Sequence, residues 1–353
     1  MVASPLQRWG VLLASAMVAI VVCACGSTAS SPTSSTSTLG PIRVQVSPGA
    51  ITDMLDFVAM DAGFFSKNHL NVQFVDVAAA PGAMTALAAN SVDVIAVSPE
   101  VPLEAVAKGF QMQVIAGQAK VIWELVVNNT ITTTDPWPQA AQSLAGKKFG
   151  VVQLGTPGQF LTEALLKDAG VAPSNVTFLA VGTPSGAIAA LEHNEIQATL
   201  VNEPTPEAIK LANAGRTILD LRNGTAGPAY LAGQDEVMDW AQTSFVKTHP
   251  QEIAAFRKAL AQTDVWMHDP SNLNAVESIY AKEIGTAVIP TSDMPTFVKE
   301  NLGTATAHAS SDSLSAWIAF SVQYGIIPAP INLSSVLAAG TPQNQSDIQR
   351  LAA

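Results

Sequence analysis

One stretch occurs twice in this chain, and it constrains the fold more than any other feature. Residues 82–98 (GAMTALAANSVDVIAVS) and 186–202 (GAIAALEHNEIQATLVN) align without a gap. Gly82, Ala83, Ala86, Leu87, Asn90 and Val97 recur as Gly186, Ala187, Ala190, Leu191, Asn194 and Val201. Each copy reads as a short helix, a turn and an apolar strand that ends on a small polar residue. Two copies at so long a period do not make a solenoid. They point to two similar α/β lobes, the competing explanation being a chance match in Ala-rich sequence.

The flanking order repeats too. A strand at 42–46, a turn at Ser47-Pro48-Gly49, helical spacing from Ile51 to Phe65 across Asp61-Ala62-Gly63 and a strand at 71–77 precede the first copy. A strand within 144–152, Gly155-Thr156-Pro157-Gly158, a helix ending Asp168-Ala169-Gly170 and a strand at 175–181 precede the second. Alternating strands and helices imply mostly parallel sheets covered by helices. Between the series, 102–109 reads as a helix and 112–116 and 121–127 as strands. The polar segment 128–138 marks a lobe boundary. A helix at 206–214 and a strand at 217–221 close the second series. Residues 230–233 read as a strand crossing back, and the pattern from Asp235 onward is helical, most clearly at 249–268, then 272–284, 292–302, 311–324 and 331–339. The expected organisation is therefore 42–127 for the first lobe, 128–228 for the second, and 229–353 for a return to the first lobe plus a helical tail.

The N-terminus bounds the compartment. Arg8 precedes an apolar run at 11–22, too short for a comfortable membrane span. The run leads into Val22-Cys23-Ala24-Cys25-Gly26, which resembles the lipobox of bacterial lipoproteins, with small Cys23 an unusual occupant. That resemblance implies removal of 1–24 and a lipid on Cys25, with an ordinary secretory signal as the alternative. A Ser/Thr-rich tether, 25–41, follows. Cleavage would leave Cys25 as the sole cysteine of the two in the chain, so no disulfide, redox or Cys metal site is expected. A net charge of −11 argues against a nucleic-acid partner.

No nucleophile elbow, P-loop or dinucleotide fingerprint is present, and the five histidines show no metal-ligand spacing. What recurs is strand ends running into Gly or Pro turns and helix starts, where open parallel sheets bind ligands. Ser98 and Asn202 occupy equivalent positions in the repeat, so facing lobes would aim them into one cleft. Such residues also serve simply as helix N-caps. Trp123, in the last strand before the expected boundary, could stack on a ligand from the hinge side or fill a core.

Together these features resemble the solute-binding lipoproteins of ABC importers, in the group for nitrate, sulfonate, taurine and thiamine-pyrimidine precursors. The carrying segments are Gly63-Phe64-Phe65 through Val72, the first repeat copy, 144–151, Gly155-Thr156 and Asn202-Glu203-Pro204. The resemblance implies a type II periplasmic-binding-protein fold whose chain crosses twice between lobes. It carries ligand contacts onto Ser47, Gly49, Ser98, Thr156, Asn202 and Glu203. It implies a monomer held at the extracytoplasmic face of the cell membrane, passing a small polar, anionic or pyrimidine-like solute to an ABC permease, without cofactor, metal or catalysis. Two departures matter. His69 stands where the family has Gly, and Asn202 where it often has an aromatic. No Arg or Lys falls on the motif positions, which leaves a neutral or aromatic solute open. An enzyme on the same fold would need a Cys-rich motif this chain lacks; a receptor serving a signalling partner is a further alternative.

Overall fold

A computed structural model describes residues 38–353 except 78, 223, 225, 226, 229 and 232. The expected leader 1–24, Cys25 and most of the expected tether lie outside the described residues. The tether's last residues do not: Leu39–Val46 is already strand β1, Leu39 donating its N–H to His69 O.

The first series continues with α1 (Met54–Asp61), α2 (Phe64–Lys67), β2 (Leu70–Asp76), α3 (Ala80–Ala88), β3 (Val94–Val97), α4 (Glu100–Ala107), β4 (Met112–Lys120) and β5 (Trp123–Asn128). The second holds β6 (Lys148–Val151), α5 (Pro157–Asp168), β7 (Thr177–Ala180), α6 (Pro184–Glu192), β8 (Ala198–Asn202), α7 (Thr205–Leu211) and β9 (Gly215–Asp220). Then come β10 (Asp235–Gln242), α8 (Thr243–Thr248), α9 (Pro250–Met267), α10 (Leu273–Ile284), α11 (Met294–Asn301), α12 (Ser311–Gln323), α13 (Leu333–Val336) and α14 (Gln345–Ala352). No helix among the described residues is long and apolar enough to cross a membrane.

Two five-stranded sheets form, ordered β2-β1-β3-β10-β4 and β7-β6-β8-β5-β9. They have the same plan. The repeated strands β3 and β8 hold the same central place, each parallel to β1 or β6 and antiparallel to β10 or β5. The repeated residues have local reasons to recur. Asn90 and Asn194 sit in left-handed turns at φ 54° and 56°, a conformation Asn tolerates well. Gly63 and Gly170 close α1 and α5 at φ 77°. His69, where a Gly was expected, takes the same strained region at φ 55°.

Two expectations are corrected. The chain crosses between sheets at residues 121–122, not at 128, because β5 pairs with β8 and β9 of the second sheet. The return strand is β10 at 235–242, not 230–233, and this stretch is not helical. Its acids hid it: Asp235, Glu236 and Asp239 are all buried, a pattern no strand rule anticipates. They are met by distant partners, Asp239 by Gln118 and Asp235 by Ser310 N and His308. A buried cluster spans both sheets through Val97, Trp240, Trp123, Leu161 and Leu200, so the lobes share a core beside the crossing strands. Helices α9 and α1 pack on the first sheet and α14 packs on α9, the helical tail thus completing the first lobe.

Candidate functional site

A cavity of about 410 Å³ lies where the carboxyl ends of the parallel strands of both sheets face one another. The first sheet contributes the turn after β1 (Ser47 to Ala50), Ser98 after β3, and Val237. The second contributes Val152 and Gln153 after β6, Val181 to Pro184 after β7, and Asn202 at the end of β8. The starts of α3, α5 and α6 also reach it.

Of the seven ligand-contact residues expected from sequence, six meet here: Ser47, Gly49, Ser98, Trp123, Thr156 and Asn202. Their hydroxyls are largely engaged. Ser98 Oγ donates to Glu236 Oε1 at 2.8 Å, and the Trp123 indole N–H donates to the same oxygen. Thr156, the N-cap residue of α5, turns its hydroxyl back to Gln153 O rather than capping the helix. Ser47 accepts from the Gln45 amide and gives its N–H to Asp53. Asn202 and Gln153 make no side-chain hydrogen bond with another described residue, so their amides are polar groups the second wall can offer a ligand.

The seventh, Glu203, is a correction. Its side chain is buried and does not line the cavity. Arg222 Nη1 donates to Oε1 at 2.9 Å and the Glu207 N–H to Oε2 at 3.2 Å. Glu124 Oε1 lies 2.9 Å from Arg222 Nη2 as an ion pair, and Asp220 takes a further bond from the guanidinium. Arg222 also donates to Asn301 of α11 in the first lobe, and Ile51 N–H to Glu203 O crosses the same gap. Glu203 is therefore part of a brace between lobes. Burial, then the neighbouring Glu124, pushes its carboxyl up from the ordinary range.

Sequence reasoning missed the acids behind the first wall. Glu100 opens α4 fully buried, with neither carboxyl oxygen bonded to a described group. Burial, then the charge of Glu236, pushes it up to about 8. Glu236 is raised to about 7 by burial, opposed by its bonds from Trp123 and Ser98. Asp53 is likewise raised to about 7. No local signal marks these residues, since burial of a carboxyl is decided by strand pairing.

Raised acids give a pH dependence of definite sign. The unfolded chain releases these protons near pH 4, while the fold holds them until about pH 7 to 8. The folded state binds more protons across that window, so stability falls as pH rises through it. Urea unfolding should give a higher midpoint at pH 5 than at pH 8. Glu100→Gln, a neutral mimic of the protonated acid, should narrow the corresponding difference in unfolding free energy by roughly 1–3 kcal/mol. Equal midpoints in the parent chain would contradict buried, protonated acids.

Among the described residues, no group of three or more His, Cys, Asp or Glu is placed to hold a metal ion.

No curated protein matches the chain. Solved structures do. The periplasmic nitrate-binding protein NrtA from Synechocystis PCC 6803 is 15% identical with a TM-score of 0.70, the match covering 90% of this chain and 89% of that one. The alkanesulfonate-binding protein SsuA from Xanthomonas axonopodis pv. citri, bound to MOPS, is 17% identical with a TM-score of 0.66, covering 85% and 98%. The aliphatic sulphonate binding protein SsuA from Escherichia coli is 17% identical with a TM-score of 0.65, covering 86% and 94%. At such identities the likeness establishes the fold, the type II periplasmic-binding-protein fold expected from sequence. Residues 54–272 match the NMT1/THI5-like family. The chain belongs to that family.

Proposed function

We propose that this chain is an extracytoplasmic solute-binding protein, tethered through a lipid on Cys25, that captures a small solute between its lobes and delivers it to an ABC permease. The observation that carries this reading is the cavity walled by equivalent strand ends of two lobes built on one plan. Two crossing strands and a side-chain brace link the lobes, so a solute touching both walls would favour the closed arrangement. The structural neighbours named for nitrate and alkanesulfonate binding support a solute as the cargo.

Thermal-shift and native mass spectrometry screens against a broad metabolite panel test the reading; a panel in which no solute stabilises the protein would end it. For an identified solute, Asn202→Ala should weaken binding about tenfold by removing a hydrogen bond that is most valuable in a closed cleft. Ser98→Ala should cost about threefold, acting through the Glu236 and Trp123 contacts it helps to hold. Titration calorimetry showing unchanged affinity in both variants would remove these walls from the site. Cys25→Ser should release the protein from the membrane fraction.

A further inference from the structure

Among the described residues, the lining of the cleft contains no charged side chain. Asp, Glu, Lys, Arg and His are absent from it among the described residues. The undescribed positions after 37 are Ala78, Asn223, Thr225, Ala226, Ala229 and Ala232, none ionisable. A few neutral polar side chains, Ser98, Gln153 and Asn202 among them, sit in walls that are otherwise largely apolar: Val97 and Val237 on one side, Val152, Val181, Leu200 and Val201 on the other. Val152 is 43% exposed, an apolar side chain at the mouth with nothing to cover it. The volume, about 410 Å³, falls in the range of about 300–1,000 Å³ that suits ligands of many atoms rather than a four-atom anion.

The helix starts at the cleft are the natural counter-argument, since such termini favour anions. Much of their donor capacity is already spent. Pro81, Pro157 and Pro184 each remove an N–H from the first turn of α3, α5 and α6. In the loops, Gly155 N–H donates to Gln159, Gly182 N–H to Val152 O and Ser47 N–H to Asp53. Behind Ser98 and Trp123 stands the Glu236 carboxyl, not a cation. A full charge closed into this cleft would lose its hydration with no counter-charge to replace it. A neutral acceptor could still take the few N–H groups that remain, and the Asn202 amide offers both donor and acceptor.

We propose that the cleft selects an uncharged solute with a largely apolar body and a few hydrogen-bonding oxygens or nitrogens, and discriminates against sulfonates and nitrate. The inference rests on the receptor reading and narrows its cargo.

The test uses the purified full chain and matched fragments that differ in charge but hardly in shape: benzenesulfonamide against benzenesulfonate, and benzamide against benzoate, with nitrate and trimethylphenylammonium alongside. Ligand-observed NMR at millimolar concentrations reads the affinities. The neutral member of each pair should bind at least about tenfold more tightly. Equal or tighter binding of the anions, or of the ammonium ion, overturns the inference while leaving the receptor reading intact. No binding by any fragment counts against both. A second arm places a cation at the mouth. Val152→Arg should raise benzenesulfonate affinity about tenfold relative to that of benzenesulfonamide, whatever the change in wall shape does to both. An unchanged ratio of the two affinities in that variant contradicts the claim that a missing counter-charge excludes anions.

Discussion

Arg222→Ala should destabilise the fold by about 3–5 kcal/mol in urea unfolding at pH 7, because it strips the shared cation from buried carboxyls. The Arg222 side chain is only 14% exposed and faces Glu124, Glu203 and Asp220. Its loss also breaks the bond to Asn301 that joins the lobes. Glu203→Gln is the informative companion. Burial and Glu124 favour the protonated form of Glu203, so a neutral amide of the same shape should cost only about 1–2 kcal/mol, for the one N–H that loses its acceptor. A large loss from Glu203→Gln with a small one from Arg222→Ala would mean the charges are distributed the other way. Were Glu203 a ligand contact, Glu203→Gln would instead alter solute affinity with stability unchanged.

Gly186→Ala should cost about 2–3 kcal/mol, while Gly82→Ala, its counterpart in the other lobe, should be close to neutral. A Cβ on Gly186 would stand 2.1 Å from Val181 O, backbone that also walls the cleft. A Cβ on Gly82 would meet only the end of the Val77 side chain, at 3.0 Å. Both changes gain up to about 1 kcal/mol of helix propensity. Overpacking against fixed backbone outweighs that gain at 186, and a shift of the Val77 side chain leaves it nearly intact at 82. Chemical denaturation of the two variants checks this, and equal effects would undo the explanation. Gly186→Ala should also weaken solute binding by displacing the wall at Val181.

The contrast shows what the repeat could and could not tell. Gly, Asn and the apolar positions recur because a helix start, a left-handed turn and a central strand need them, and these needs are local. The duplicated lobes and the strand-end turns were legible for that reason, and six of the seven residues expected at the cleft line it. The crossing strands were not. The polar stretch at 128–138 marks a break in hydrophobic pattern, but which sheet β5 joins is settled by pairing with β8 and β9, dozens of residues away. β10 carries Asp235, Glu236 and Asp239 in a buried strand, and only Gln118, Ser98, Trp123, His308 and Ser310 reveal why that is tolerable. Glu203 misled for the same reason. It follows Asn202 in the turn, yet Arg222 turns it into the brace.

The central claim is that one solute touches both lobes in the shared cleft. Methyl NMR of the full chain, titrated with the tightest-binding neutral fragment, tests it directly. Val97 and Val237 on one wall should shift together with Val181 and Val201 on the other. Shifts confined to one wall, or to the shallow pocket formed by Leu87, Val92 and Phe245, would contradict it.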